Sequence, residues 1–159
     1  MRCDIRPMAL PPALFTIGYE GSTLPSVLDL LREAGVTLLI DVRAVAASRK
    51  PGFSKRLLAA GLAEAGIDYE HLQPLGTPKD GRLAVRAGHP ETMRRIYRTH
   101  MTGDAPRAAL GRATSLAGDR PACLLCFEHD PAQCHRRLVA EMIVAETGQR
   151  VVDLVPGGG

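Results

Sequence analysis

Short apolar runs alternate with segments of helical periodicity along most of this chain. The clearest run, residues 36–42, is apolar on both faces, which is typical of a strand buried in a parallel sheet. On this basis, strands are predicted at residues 14–18, 36–42, 67–72, 122–127 and 151–155.

Between the strands, apolar residues recur at the i, i+3, i+4, i+7 spacing of an amphipathic helix. The first helix has Thr23 as its N-cap, and its apolar face is formed by Leu24, Val27, Leu28 and Leu31. Further helices are predicted from the Ser54 cap to Gly66 and at residues 93–101, 106–117 and 131–146. The segment 74–90, which is broken by prolines and glycines, is predicted to be a loop.

The alternation of strand and helix predicts an α/β fold with a mainly parallel sheet of five strands and helices on both faces. We expect a single domain at residues 14–155, with a flexible leader at 1–13 and a flexible tail at 156–159. Ligands of such sheets bind outside the carboxyl ends of the strands. These ends carry polar or reactive residues at 18–20, 41–43, 74–76 and 126–128.

Composition narrows the class of protein. Of the 159 residues, 45% are hydrophobic and 23% are charged, which indicates a globular chain rather than a disordered one. No apolar run approaches the ~20 residues of a membrane-spanning helix, so no membrane association is expected. The four cysteines occur without a secretory signal, which favours a reducing, cytoplasmic setting and free thiols.

The net charge of +3 is too small to indicate a nucleic-acid-binding protein by itself, but the basic residues are unevenly distributed. Residues 42–63 contain five basic side chains and no acidic one. One interpretation is that arginines simply cover solvated faces. The other is a surface for anions, which predicts an anionic small molecule or nucleotide as ligand and leaves nucleic acid as a further partner.

The segment 126–137 concentrates reactive residue types. Asp130 and the proline after it resemble a helix start, which places Cys134 and His135 in the first turn of that helix. A thiol at the positive end of a helix, next to Arg136, is expected to have a lowered pKa. Glu128 is two residues from the strand-end Cys126 and therefore points to the same side.

The cysteines of this segment have several interpretations. Cys126 and Cys134 can be brought together by the short turn, whereas Cys123 faces the other side of the strand. The pair can supply a nucleophile, cycle between dithiol and disulfide, or simply pack in the core. A metal site is not expected, because the Cys-x7-Cys-His spacing is unusual for zinc and offers only two thiolates.

A second cluster follows the second strand. Asp41 ends a buried strand, where a carboxylate needs a partner, and Arg43 and Arg49 are the nearest candidates. The pairing can be purely structural, or Asp41 can orient the arginines toward a bound anion. Ser48 lies in the same segment, and Tyr19 follows the first strand.

Four motifs together resemble the family called domain of unknown function 488 (DUF488). They are residues 16–21 (TIGYEG), residues 41–43 with 48–53 (DVR and SRKPGF), residues 75–79 (LGTPK) and residues 125–136 (LCFEHDPAQCHR). Close members tend to have Asn-Pro where this chain has Val45 and Ala46. The resemblance covers roughly residues 14–155 and implies an α/β domain with a site at these motifs, but no particular reaction.

The favoured hypothesis is a thiol-dependent enzyme, a hydrolase, a transferase or a dithiol redox protein, with Cys134 as nucleophile, Cys126 as its partner and Glu128 as general acid or base. The predicted substrate-binding residues are Tyr19, Asp41, Arg43, Ser48, Arg49, His135 and Arg136. The alternatives are a nucleic-acid or nucleotide-binding module without catalysis and a regulatory domain whose cysteines only pack. The sequence identifies no cofactor and leaves the oligomeric state open.

Overall fold

The structure is a computed structural model that describes residues 11–156. Its five strands are β1 (Leu14–Gly18), β2 (Leu38–Asp41), β3 (Asp68–His71), β4 (Ala122–Cys126) and β5 (Val151–Leu154). Its α-helices in this range are α1 (Leu24–Glu33), α2 (Lys55–Glu64), α3 (Lys79–Arg86), α4 (Pro90–His100), α5 (Asp104–Asp119) and α6 (Arg136–Thr147). The strands form one parallel sheet in the order β3-β2-β4-β1-β5, which confirms the predicted α/β class.

The sheet is covered on both faces because successive strand residues point to opposite sides. Ile40 and Leu124 pack on one face with the apolar residues of α4, α5 and α6. Leu39 and Leu125 pack on the other face with those of α1 and α2. Mostly apolar inner strands are what a parallel sheet between two helix layers requires.

The strand register aligns the carboxyl ends of the central strands. Gly18 at the end of β1 pairs with Cys126 at the end of β4. Asp41 at the end of β2 pairs with Leu125, one residue earlier in β4, and with His71 at the end of β3. The polar residues that follow these strands therefore meet at one edge of the sheet.

Two predicted elements differ from the structure. The predicted loop at 74–90 contains α3, preceded by a 3₁₀ turn at Gln73–Leu75. The helix predicted at 131–146 begins instead with a 3₁₀ turn at Pro131–Gln133, becomes extended at Cys134, and continues as α6 only from Arg136.

The predicted leader and tail lie largely outside the described residues, which exclude 1–10 and 157–159. Within the described part, the carbonyl of Pro12 accepts a 2.7 Å hydrogen bond from the side-chain amide of Gln149. Across residues 11–156, no helix combines the length and the apolar character needed to cross a bilayer.

Candidate functional site

The buried carboxylate of Asp41 anchors Arg43 at the end of β2. The Arg43 guanidinium donates through Nε to Oδ1 at 2.9 Å and through Nη2 to Oδ2 at 2.7 Å. The hydroxyl of Tyr69 donates to Oδ2 at 2.6 Å. Burial works to lower the pKa of Arg43, but the adjacent Asp41 carboxylate outweighs it, so the pKa is raised. The pairing predicted from the sequence is therefore present.

Arg43 is held by the protein rather than presented to a ligand. Its Nη1 donates to the carbonyl of Phe53 at 2.7 Å and to the hydroxyl of Tyr19 at 3.1 Å. Four of its five N–H groups thus point at protein acceptors. The ring of Tyr19 stacks on Phe53 with 4.3 Å between centroids. Arg43 and Tyr19 therefore form a rigid wall with little capacity to bind an anion themselves.

The segment after Arg43 is fixed by two local contacts. The hydroxyl of Ser54 accepts the N–H of Ser48 and donates to its carbonyl, both at 3.0 Å. It makes no capping bond to α2, contrary to the prediction. Gly76 lies so close to Ala44 that a Cβ at position 76 would overlap the Ala44 backbone. Gly76, which belongs to the motif at residues 75–79, therefore packs directly against the segment that follows Arg43.

A cavity of about 790 Å³ opens at this edge of the sheet. Seven of the ten predicted site residues line it: Tyr19, Arg43, Ser48, Arg49, Cys126, Glu128 and His135. Asp41 lies behind Arg43 and is fully buried. The remaining two, Cys134 and Arg136, are outside the lining.

The cavity is rich in cations. Its unpaired basic residues are Arg49, Lys50, Lys79, Arg82 and Arg86, since none of them belongs to the ion pairs formed within residues 11–156. Its acidic lining consists of Glu20 and Glu128. Clustered cations without carboxylate partners favour the binding of an anion.

Sequence reasoning missed the three cations that belong to α3. The sequence predicts a loop at 74–90, which gives Lys79, Arg82 and Arg86 no common direction, whereas in the structure they lie on α3. Their i, i+3, i+7 spacing places them on one face of a helix, and that spacing is the signal that could have revealed them.

Cys126, Cys134 and His135 form a compact buried cluster beside the cavity. The thiol of Cys126 donates to Oε2 of Glu128 at 3.1 Å, and its Sγ lies 3.5 Å from Nδ1 of His135. The Sγ of Cys134 lies 3.7 Å from the same nitrogen.

The orientation of His135 is set by a backbone carbonyl. Its Nε2 lies 2.6 Å from the oxygen of Val42, which can only accept a hydrogen bond. This contact assigns the proton to Nε2. Nδ1 of the neutral ring therefore presents its lone pair to the two sulfurs.

The predicted lowered pKa of Cys134 is wrong, because the thiol is buried in the core. Burial raises the pKa of Cys134 well above its ordinary value and also raises that of Cys126. For His135, burial works to lower the pKa, but the charge of the Cys134 sulfur in its thiolate form, together with the contacts to that sulfur and to the Val42 carbonyl, outweighs it and raises the pKa.

Cys134 and Arg136 face other surroundings. Cys134 borders a separate hollow of about 270 Å³, together with Arg94, Arg98 and Arg137. Arg136 is buried and donates to the carbonyls of Glu128 and His129. The structure thus does not bring the Arg136 guanidinium to the cavity.

Cys123 lies on the opposite face of β4, as predicted, and the three described cysteines are free thiols. Cys3 lies outside the described residues. Burial raises the pKa of Cys123, and burial together with the Asp41 hydrogen bond raises that of Tyr69. Both groups stay protonated in the fold at pH values where the unfolded chain has begun to ionise.

Stability is therefore expected to fall at alkaline pH. These groups contribute fully below their ordinary pKa values of 9.0 and 10.0, and the contribution is lost as the pH rises above them. Urea denaturation between about pH 8 and pH 11 should show a decreasing free energy of unfolding. The decrease should be shallower in Cys123→Ala, and an unchanged slope in that variant would contradict the assignment.

Comparison with known proteins places the chain in a family without assigning a reaction. The family model described as domain of unknown function DUF488 matches residues 23–143, more than half of the chain. No curated protein and no solved structure shows a significant match. The family expected from the four sequence motifs is thereby confirmed, and the chain belongs to the DUF488 family.

Proposed function

We propose that this protein is a thiol-dependent enzyme acting on an anionic small molecule, with Cys126 as its nucleophile. One observation carries the proposal: Cys126 and His135 together line the cationic cavity, with 3.5 Å between sulfur and Nδ1. A nucleophile within reach of a base that is itself oriented by a third group is the usual arrangement for covalent catalysis. Cys126 replaces Cys134 in this role because Cys134 faces the other hollow.

The raised pKa of Cys126 implies that the thiol is activated only during reaction. As Sγ attacks the substrate, its proton turns from Oε2 of Glu128 to Nδ1 of His135, whose Nε2–H remains bonded to the Val42 carbonyl. The bond from sulfur to the transferred group forms while the bond to the leaving group breaks. The proton on Nδ1 passes to the leaving group as that bond breaks, while Glu128, which also lines the cavity, positions the Cys126 thiol beforehand by accepting its hydrogen bond.

The anion is expected to bind away from Arg43, whose donors are largely used within the protein. The cations of α3 and Arg49 line the same cavity without carboxylate partners among the described residues. These cations would concentrate an anionic substrate near Cys126 and would also fix its orientation.

The proposal predicts that an anionic reagent will reach Cys126 preferentially. We expect the rate ratio of iodoacetate to iodoacetamide at Cys126 to exceed that of free cysteine by about tenfold at low salt. Both reagents react with the same thiolate, so the ionised fraction of the thiol cancels in their rate ratio at a given pH. The ratio therefore reports the effect of the cavity's charge on the reagent. Peptide mass spectrometry of a Cys3→Ser background would measure alkylation at each remaining cysteine.

Matched variants make this experiment decisive. Lys79→Gln and Arg82→Gln should reduce the ratio, whereas Arg112→Gln should not, because Arg112 lies outside the cavity and pairs with Glu70. Cys126→Ser should abolish the selective labelling. A ratio equal to that of free cysteine in the parent protein would exclude Cys126 as a nucleophile for anions.

Two alternatives use the same residues. The cations could serve a nucleic-acid or nucleotide-binding module, which would show salt-dependent retention on a phosphate-rich matrix without selective alkylation. The sulfurs of Cys126 and Cys134 lie within 4.8 Å of each other, which favours the dithiol redox alternative more than sequence spacing did. Mild oxidation of that kind would remove two hydrogens from the intact mass.

A further inference from the structure

The thiol cluster has the donor set of a metal site. Sγ of Cys126, Sγ of Cys134 and Nδ1 of His135 all lie within 4.8 Å of one another. The spacing of these residues in the sequence is unusual for a zinc site, but the fold brings their donor atoms together. Cys126 ends β4, and Cys134 returns to it through the turn and extended residue that precede α6.

The separations fit a tetrahedral ion. Zinc bonds of about 2.3 Å to sulfur and about 2.0 Å to nitrogen place those donors about 3.5 Å apart in a tetrahedral site. The observed distances from Nδ1 of His135 are 3.5 Å to Cys126 and 3.7 Å to Cys134. Two of the three donor separations therefore already match, and the two sulfurs, which lie within 4.8 Å of each other, need to stand about 3.8 Å apart around the ion.

The groups around the donors are also those of a metal centre. The Nε2 contact with the Val42 carbonyl fixes the imidazole with Nδ1 free, as an outer partner does for metal-bound histidines. The backbone N–H of Arg136 points at Sγ of Cys134 at 3.5 Å, and such a bond stabilises a thiolate. The Arg136 side chain is buried, its Nε has no hydrogen-bond partner, and no carboxylate among the described residues pairs with it.

We propose that Cys126, Cys134 and His135 bind zinc through two thiolates and one imidazole, leaving the fourth position open to the cationic cavity. Cys126 and His135 both line that cavity, which gives the ion access. Two sulfurs and a nitrogen select a thiophilic ion and disfavour Mg²⁺ and Ca²⁺, which prefer oxygen ligands. Zinc and an electrophilic substrate would compete for Cys126, so zinc would protect this thiol from alkylation.

The test uses the full chain, reduced and freed of metal by a chelator, in the Cys3→Ser background. Zinc titrated against a chromophoric chelator should bind at one equivalent. Cys126→Ser and Cys134→Ser should each weaken binding by roughly 100-fold, while Cys123→Ser on the opposite face should bind as the parent does. Circular dichroism would confirm that each variant is folded.

Cobalt provides an independent readout that does not depend on activity. Co²⁺ should give the absorption of a tetrahedral thiolate complex in the parent and in Cys123→Ser, and this absorption should be lost in Cys126→Ser. Absence of stoichiometric zinc binding, or equal losses in Cys123→Ser and Cys126→Ser, would overturn the metal site. Zinc binding without anion-selective alkylation would support the metal site and reject the proposed thiol enzyme. Anion-selective alkylation without zinc binding would support the thiol enzyme and reject the metal site.

Discussion

Replacing Asp41 with asparagine is expected to lower the free energy of unfolding by about 3 kcal/mol, because it leaves the buried guanidinium of Arg43 without its counter-charge. Asp41 is fully buried and Arg43 is only 5% exposed, so water cannot replace the lost carboxylate. The change also leaves only one acceptor oxygen for the hydroxyl of Tyr69 and the two guanidinium N–H groups that the carboxylate binds. Urea denaturation would measure the loss.

The control for this variant is an ion pair of similar geometry on the surface. Glu70 accepts two hydrogen bonds from Arg112, but these side chains are 29% and 58% exposed. Glu70→Gln should therefore destabilise the protein far less than Asp41→Asn does. In a double variant, Arg43→Leu should recover part of the loss, because no buried charge then remains unpaired. Equal effects of Asp41→Asn and Glu70→Gln would show that the buried pair does not anchor the site.

The Asp41–Arg43 ion pair could be predicted because the two residues are close in sequence and because a buried carboxylate strongly requires a cation. A carboxylate at the end of an apolar strand must find a cation, and Arg43 is two residues away. The same holds for the fold class, since alternating strands and helices permit few arrangements other than a parallel sheet. The strand order was not predictable, because β4 inserts between β1 and β2 through contacts that are distant in sequence.

Helix α3 was missed because it lacks the apolar stripe that identifies most helices. Its fully buried position is Gly81, which lies against the side chain of Thr77, and the apolar residues that pack toward the core, Ala84 and Val85, are only partly buried. Prolines and glycines on both sides strengthened the loop interpretation. The helical signal lay only in the spacing of its cations.

The environment of Cys134 differs from the prediction for another reason. The predicted helix start is present, since Asp130 accepts a 2.9 Å hydrogen bond from the N–H of Ala132. After one 3₁₀ turn, however, Cys134 adopts an extended conformation and packs into the core. Desolvation of the thiol then outweighs any effect of the helix dipole, and its pKa rises instead of falling. Burial of a single side chain is a tertiary property that sequence motifs do not report.

Gly18→Ala is expected to lower the free energy of unfolding by about 3 kcal/mol, because the added methyl group has no space. A Cβ at this position would overlap the carbonyl oxygen of Glu128, and it would lie 2.8 Å from Nη1 of Arg136. That carbonyl accepts a hydrogen bond from the same Nη1. The methyl group must therefore displace the backbone after β4 or break the contact that holds the buried guanidinium.

A second glycine separates this steric cost from the general effect of the substitution. Gly111 lies within α5, where an added Cβ would meet no atom within 4 Å, so Gly111→Ala should stabilise the protein by about 0.5–1 kcal/mol. Gly18 is also the register partner of Cys126, so Gly18→Ala should change the alkylation rate of Cys126 as well as stability. Urea denaturation and thiol labelling of both variants would measure these effects. Two results together would contradict this prediction: Gly18→Ala as stable as Gly111→Ala, and alkylation of Cys126 at the parent rate. They would show that the close approach of Gly18 to the Glu128 carbonyl does not determine the geometry around Cys126.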